Sequence, residues 1–220
     1  MQADAKLRQN HLADATALLH EALTFAPDSE HAVVNVIRAL RMNDDSAGAR
    51  QKAKEALDKF PKSAAVHGEL IDLAETTEEA AAYLAAVPDD IRGSAEILIG
   101  VASRHDLAQS EAAARQAVEK YPEEVSTWHV LGRWLLDNEF YKFSPVEPGP
   151  AEAPRRGGLE EAIEAFAKVI EIAQRQGNRG VEADALTRRS AAYGQLGDWE
   201  RAAQGGRFGV QGHDEATGWA

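Results

Sequence analysis

The side chains of this 220-residue chain best equipped for chemistry are its seven histidines and its 36 carboxylates, and their spacing decides what they could do. His20-Glu21 opens a zinc-helix pattern, but no second histidine follows one turn on, so two imidazoles cannot face one ion. His11, His31, His67, His105, His129 and His213 stand singly, and His105-Asp106 falls in a predicted turn, where such a pair is solvated or caps a helix. Ser110 and Ser190 lack the G-x-S-x-G elbow that would present a nucleophile. The glycines of "GGRFGVQG" have no strand before them and no predicted helix after them, so they form no phosphate loop. Asp44-Asp45 and Glu160-Glu161 lie at turns and helix starts, where their charge serves the helix dipole rather than acid–base catalysis. The absence of cysteine excludes disulfides, thiol nucleophiles and thiolate zinc sites, and leaves the redox compartment open. The expectation is a non-enzyme with no catalytic residue, no metal ligand and no cofactor.

Charge narrows the partners. A net charge of −12 opposes general attraction to nucleic-acid phosphates and anionic lipid, so no nucleic-acid partner is expected. The first residues lack a basic segment followed by an apolar core, and no apolar run is long enough to cross a bilayer. The expected setting is cytoplasmic, without membrane insertion.

The elements that hold these residues are helices. Apolar residues make up 44% of the chain but aromatics only 6%, which favours small-residue contacts between closely approaching helices and an all-α fold. Pro27 and Pro61 are 34 residues apart, as are Pro88 and Pro122, and each closes an alanine-rich segment such as "ARQKAKEALDKFP". An amphipathic segment follows each: "SEHAVVNVIRALRM", "SAAVHGELIDLAE", "DIRGSAEILIGVASRH" and "EVSTWHVLGRWLLDNE" repeat apolar residues at steps of three and four. Asp28, Ser29, Ser63, Asp89 and Asp90 stand near the expected helix starts as caps.

With these residues the chain resembles the tetratricopeptide repeat family, whose unit is a 34-residue pair of antiparallel helices. The resemblance is carried by Tyr193, the turn "LGDW" and Ala202, and by Trp128, Leu131 and Gly132 with Ala162 and Phe166. It implies a right-handed α-α superhelix over residues 1–204, in units of about 1–28, 29–62, 63–89, 90–123, 124–178 and an incomplete 181–204. The third unit is about one turn short in each helix. The fifth carries a Pro-rich insertion at 140–158, read as an extended loop or as a docking loop bearing Phe140, Tyr141 and Phe143. Residues 205–220 read as a Gly-rich irregular tail, or as a plug formed by Phe208 and Trp219. Incomplete first and last units lead to the expectation of a segment cut from a longer array.

The resemblance also implies where a ligand would lie. The family's inward-facing positions fall on Val34, Arg38, Arg41, Met42, Asp72, Glu75, Arg92, Ile99, His129, Arg133 and Asp137. Arg38, Arg41, Arg92, His129 and Arg133 are the candidate peptide-binding residues, because a guanidinium fork matches carboxylates in an acidic segment. The competing reading pairs these arginines with Asp72, Glu75 and Asp137, which only keeps the groove soluble. Trp128 and Trp134, six residues apart, are expected on different faces, one of them in the core, and Phe166 is expected in the core. The function implied is a non-catalytic protein-interaction scaffold that binds a peptide segment of a partner in its concave groove. The alternatives are a regulatory or spacer segment of a larger enzyme, sensor or secretion component, and a scaffold that self-associates through open ends.

Overall fold

Helices begin here wherever a short polar side chain precedes an alanine-rich or apolar repeat. The computed structural model describes residues 12–141 and 156–204. Ser29, Asp45, Ser63, Thr76, Ser94 and Asn178 each accept a hydrogen bond from the backbone amide three residues on, satisfying an N–H with no partner inside the helix. The helices are α1 (Leu12–Phe25), α2 (Glu30–Met42), α3 (Ser46–Lys59), α4 (Ala64–Asp72), α5 (Thr77–Ala85), α6 (Ala95–Ala102), α7 (Ser110–Lys120), α8 (Val125–Tyr141), α9 (Arg156–Arg175) and α10 (Arg179–Gln195). A further helix opens at Trp199 and reaches residue 204. The described residues contain no strand, and the fold is all-α.

The prolines end helices as their chemistry requires. α1, α3, α5 and α7 each stop two or three residues before Pro27, Pro61, Pro88 and Pro122. Gly177 and Gly197, at φ 66° and 78°, turn the chain out of α9 and α10 through a backbone conformation that costs a residue with a Cβ. The segment "DIRGSAEILIGVASRH" behaves differently from its sequence expectation. Its helix α6 starts only at Ala95, because Ser94 provides the cap and residues 89–93 form turns. Asp89 and Asp90 therefore cap nothing; they pair with Arg92 (3.4 Å) and Lys62 (2.8 Å).

The chain divides into two compact units, residues 1–110 and 111–220. In the first, α1 to α5 pack each on the next, while α2 also lies against α4 and α4 against α6. Val33, Ile37, Ala49, Ala53, Ala56, Val66 and Leu70 form the main core, and Leu19, Val36 and Ala39 form a second cluster on another side of α2. Each fully buried branched side chain, such as Ile37 or Val66, contributes about 1.5–3 kcal/mol. Glycine sets the α4–α6 approach: a Cβ on Gly100 would lie 2.5 Å from the Gly68 carbonyl oxygen, and one on Gly68 would lie 2.5 Å from the Glu96 carbonyl oxygen.

In the second unit α9 packs between α8 and α10, which also touch each other. Phe166 is fully buried with Leu159, Ala162 and Val169, as the helical spacing predicts. Gly132 makes room for its ring, since a Cβ there would stand 2.9 Å from Cε1. Neither tryptophan is a core residue: Trp128 and Trp134 are both half-buried, and the Trp128 indole donates to the Pro122 carbonyl at 2.8 Å. The insertion expected at 140–158 is bracketed more tightly, because α8 includes residues 140 and 141 and α9 starts at Arg156. Residues 1–11, 142–155 and 205–220, with the tail and most of the insertion, lie outside the described residues.

Candidate functional site

Arg38 and Arg41 sit one turn apart on α2, facing α4, and both meet Glu69 there. Arg38 Nε donates to Glu69 Oε1 at 2.6 Å, while Arg41 Nη1 bonds the Asp72 carboxylate and lies 3.2 Å from Glu69 Oε2 without hydrogen-bond geometry. Glu69 is only 8% exposed, so its charge is held by these two cations rather than by water. Ser63, the cap of α4, donates to Glu30 on α2 at 2.7 Å and adds a second tie between the same helices. Glu75, expected on the inward face, instead meets Arg50 of α3 at 2.7 Å.

Arg92 stands apart from this pair. Its Nη2 donates to the Val87 carbonyl at 2.9 Å and to the Ala85 carbonyl at 3.5 Å, next to the end of α5, where a cation answers the negative pole of the helix. Arg104 plays a similar part in the same unit, with its guanidinium on the Ala74 carbonyl and on Asp106. The Arg104 guanidinium is the main cause that holds the Asp106 carboxyl down at about 2.

In the second unit, His129 and Arg133 share one face of α8, four residues apart. His129 Nε2 lies 2.6 Å from Asp184 Oδ2 of α10, and its ring meets the Phe166 ring edge-on at 6.3 Å. Arg188 Nε donates to the same Asp184 oxygen at 2.8 Å. Burial opposes ionisation of Asp184, yet the hydrogen bonds from His129 and Arg188 prevail and bring its pKa to about 2. Arg133 is half-buried, and its Nε is fully shielded from solvent with no hydrogen-bond partner. In the same unit Arg115 grips Glu161 through both terminal nitrogens, Nη2–Oε2 at 3.0 Å, and Glu161 is the main cause that raises the Arg115 pKa.

The structure therefore brings Arg38 to Arg41 through a shared carboxylate and sets His129 beside Arg133, while Arg92 serves a helix end. The sequence pattern missed Glu69, Asp184 and Arg188. For Glu69 a signal was present: Arg38 to Glu69 and Arg41 to Asp72 are the same 31-residue step, close to one repeat. Among the described residues no group of three metal-ligating side chains converges, and no helix is long and apolar enough to cross a membrane. No protein-family model matches the chain, and no curated protein matches its sequence.

Proposed function

We propose that the chain is a tetratricopeptide-like helical-repeat module, without catalytic activity, that binds a segment of another protein along the faces of its first helices. The observation that carries this reading is the lateral packing of α2, α4 and α6 in one unit and of α8 and α10 in the other, one helix from each pair. Side chains on these faces are in part free of core duty: Arg38 is 46% and Met42 49% exposed. A preformed surface of this kind takes little ordering entropy from the scaffold and leaves it to the partner.

The preferred ligand is an acidic segment, for which Arg38, Arg41, Arg92, His129 and Arg133 are the candidate contacts; of these, Arg38 keeps 46% of its side chain exposed even while it bonds Glu69. Affinity capture with the wild-type chain and with the Arg38→Glu, Arg133→Glu double variant tests this. The variant is expected to lose the partner, and equal recovery by both proteins removes the acidic-ligand reading. Exposed aromatic carbon at Phe25 (81%) and Trp199 (72%) favours a second reading, self-association. Sedimentation that stays independent of concentration would eliminate it.

A further inference from the structure

We infer that a pocket at the ends of α1 and α3 receives one leucine- or phenylalanine-sized side chain of a partner protein, with an acidic residue next to it in that partner's sequence. The site goes beyond the groove proposed above: its lining includes neither Arg38 nor Arg41, and Val33 is the only lining residue from α2. The pocket has a volume of about 260 Å³, and its floor is made by Leu23, Pro27, Val33, Ala56 and Phe60.

Size decides the class of occupant. Small-molecule and cofactor sites run from about 300 to 1,000 Å³, whereas an apolar cavity of about 150 Å³ accommodates a benzene ring. A space between the two takes a single branched or aromatic side chain and has no room for a nucleotide-sized cofactor. The chain's prolines create the space. α1 and α3 each stop short of one, and Leu23 and Phe60 stay only half-buried where the two helices run out. Lys59 fastens the two ends together, donating to the Pro27 carbonyl at 3.3 Å and to Asp28 at 3.2 Å, so the walls stand before a ligand arrives.

The rim selects the residue beside the anchor. Lys52 and Lys59, seven residues apart on α3, edge the pocket on one helix face with Glu55 between them. Two ammonium groups thus meet one carboxylate in a chain of net charge −12, a local reversal of sign. Lys59 is occupied by its tie to the end of α1. Glu55 is occupied as well, since it accepts from Gln51 at 3.0 Å and from Lys52 at 3.5 Å. That long contact uses one of the three N–H donors of Lys52, whose side chain remains 35% exposed. A carboxylate next to the anchoring side chain takes the remaining donors, and an amide in its place brings no charge to the exchange.

The test follows the methyl resonances of Leu23, Val33 and Ala56 by carbon–proton correlation spectroscopy in the full chain. The probes are end-capped Ala-Leu-Glu-Ala, Ala-Leu-Gln-Ala and Ala-Ala-Glu-Ala peptides, each raised to about 20 mM because one anchor and one ion pair support only millimolar affinity. The expected result is a saturable shift with the Leu-Glu peptide, about threefold or more weaker binding of the Leu-Gln peptide, and binding of the Ala-Glu peptide weaker about tenfold or more. Lys52→Gln should erase the preference for glutamate over glutamine, and Lys168→Gln, in the other unit, should leave it unchanged. The assignment is overturned if the Ala-Glu peptide moves these methyls as readily as Leu-Glu, if glutamine binds as tightly as glutamate, or if the preference survives Lys52→Gln. It is equally overturned if no peptide moves them, whether the pocket refuses the side chain or is already filled by residues 1–11 or by a second copy. Because the wild-type titrations are read in the unmodified protein, a variant that misfolds does not remove the test. Failure of the groove reading would appear separately, in the capture experiment with the Arg38→Glu, Arg133→Glu variant, which alters no residue of this pocket.

Discussion

Gly100→Ala should destabilise the first unit even though alanine is the better helix former. In an open helix this exchange gains about 1 kcal/mol. At Gly100 the new methyl would sit 2.5 Å from the Gly68 carbonyl oxygen and 2.9 Å from its Cα. Ordinary contact begins near 3.4 Å, so α4 and α6 must part by close to 0.9 Å (3.4 − 2.5). Both opposing atoms are backbone, and no rotamer change can relieve them. Overpacking of this kind costs about 1–3 kcal/mol, and the loss of contact between Gly68, Glu96 and their neighbours places this site at the upper end. The net expectation is a loss of about 1–2 kcal/mol after the helix-propensity gain. Gly194→Ala is the matched control: its methyl would lie 3.6 Å from Trp199 Cζ3, an ordinary contact, and the exchange should be neutral or stabilise by up to about 1 kcal/mol. Urea unfolding followed by far-ultraviolet circular dichroism gives the two free energies, and native-state hydrogen exchange assigns each to its unit. If Gly100→Ala proves as stable as the wild type, the close approach of these helices is not what glycine provides there.

Three further outcomes follow from the same geometry. Phe166→Ala removes a fully buried ring packed against Gly132 and should cost about 3–5 kcal/mol in a urea titration. Ser63→Ala removes both the cap of α4 and the bond to Glu30, and should cost about 1–2 kcal/mol, with the first amides of α4 exchanging faster. Acid should weaken the fold through Asp106 and Asp184: both folded pKa values, about 2, lie below the ordinary 3.8, so their contribution is whole above about pH 4 and is lost as pH falls toward 2. Both side chains are about two-fifths exposed, so each contributes less than about 1 kcal/mol. A double Asp106→Asn, Asp184→Asn variant should flatten the acid limb of the stability curve; an unchanged limb would assign acid sensitivity to other groups.

Helix ends were legible in the sequence wherever covalent chemistry dictates them. Proline stops a helix whatever surrounds it, and Ser29 and Ser63 cap because a hydroxyl there reaches a free amide. The start of α6 was not, since Asp89, Asp90 and Ser94 can all cap and only the turn through residues 89–93 decides among them. Phe166 was legible as core because its helical spacing places it among apolar neighbours. The fates of the arginines were not, because periodicity places a side chain on a face without showing which group lies opposite. Glu69 illustrates the limit. It occupies a buried position within an apolar stretch, and only the neighbouring helix, 31 residues away, explains why a charge is tolerated there.

The polar ties of the first unit have one more consequence. Arg38–Glu69, Lys59–Asp28, Lys62–Asp90, Ser63–Glu30 and Thr77–Asp106 join residues only 28 to 33 positions apart. Short separations mean small loops to close, so assembly can start at any hairpin and spread by adding the next, with no distant pairing to wait for. The same arithmetic makes opening local. A protease that catches α5 adrift should leave the Arg38–Glu69 seam zipped, and the fragments should map the ties in order along the chain.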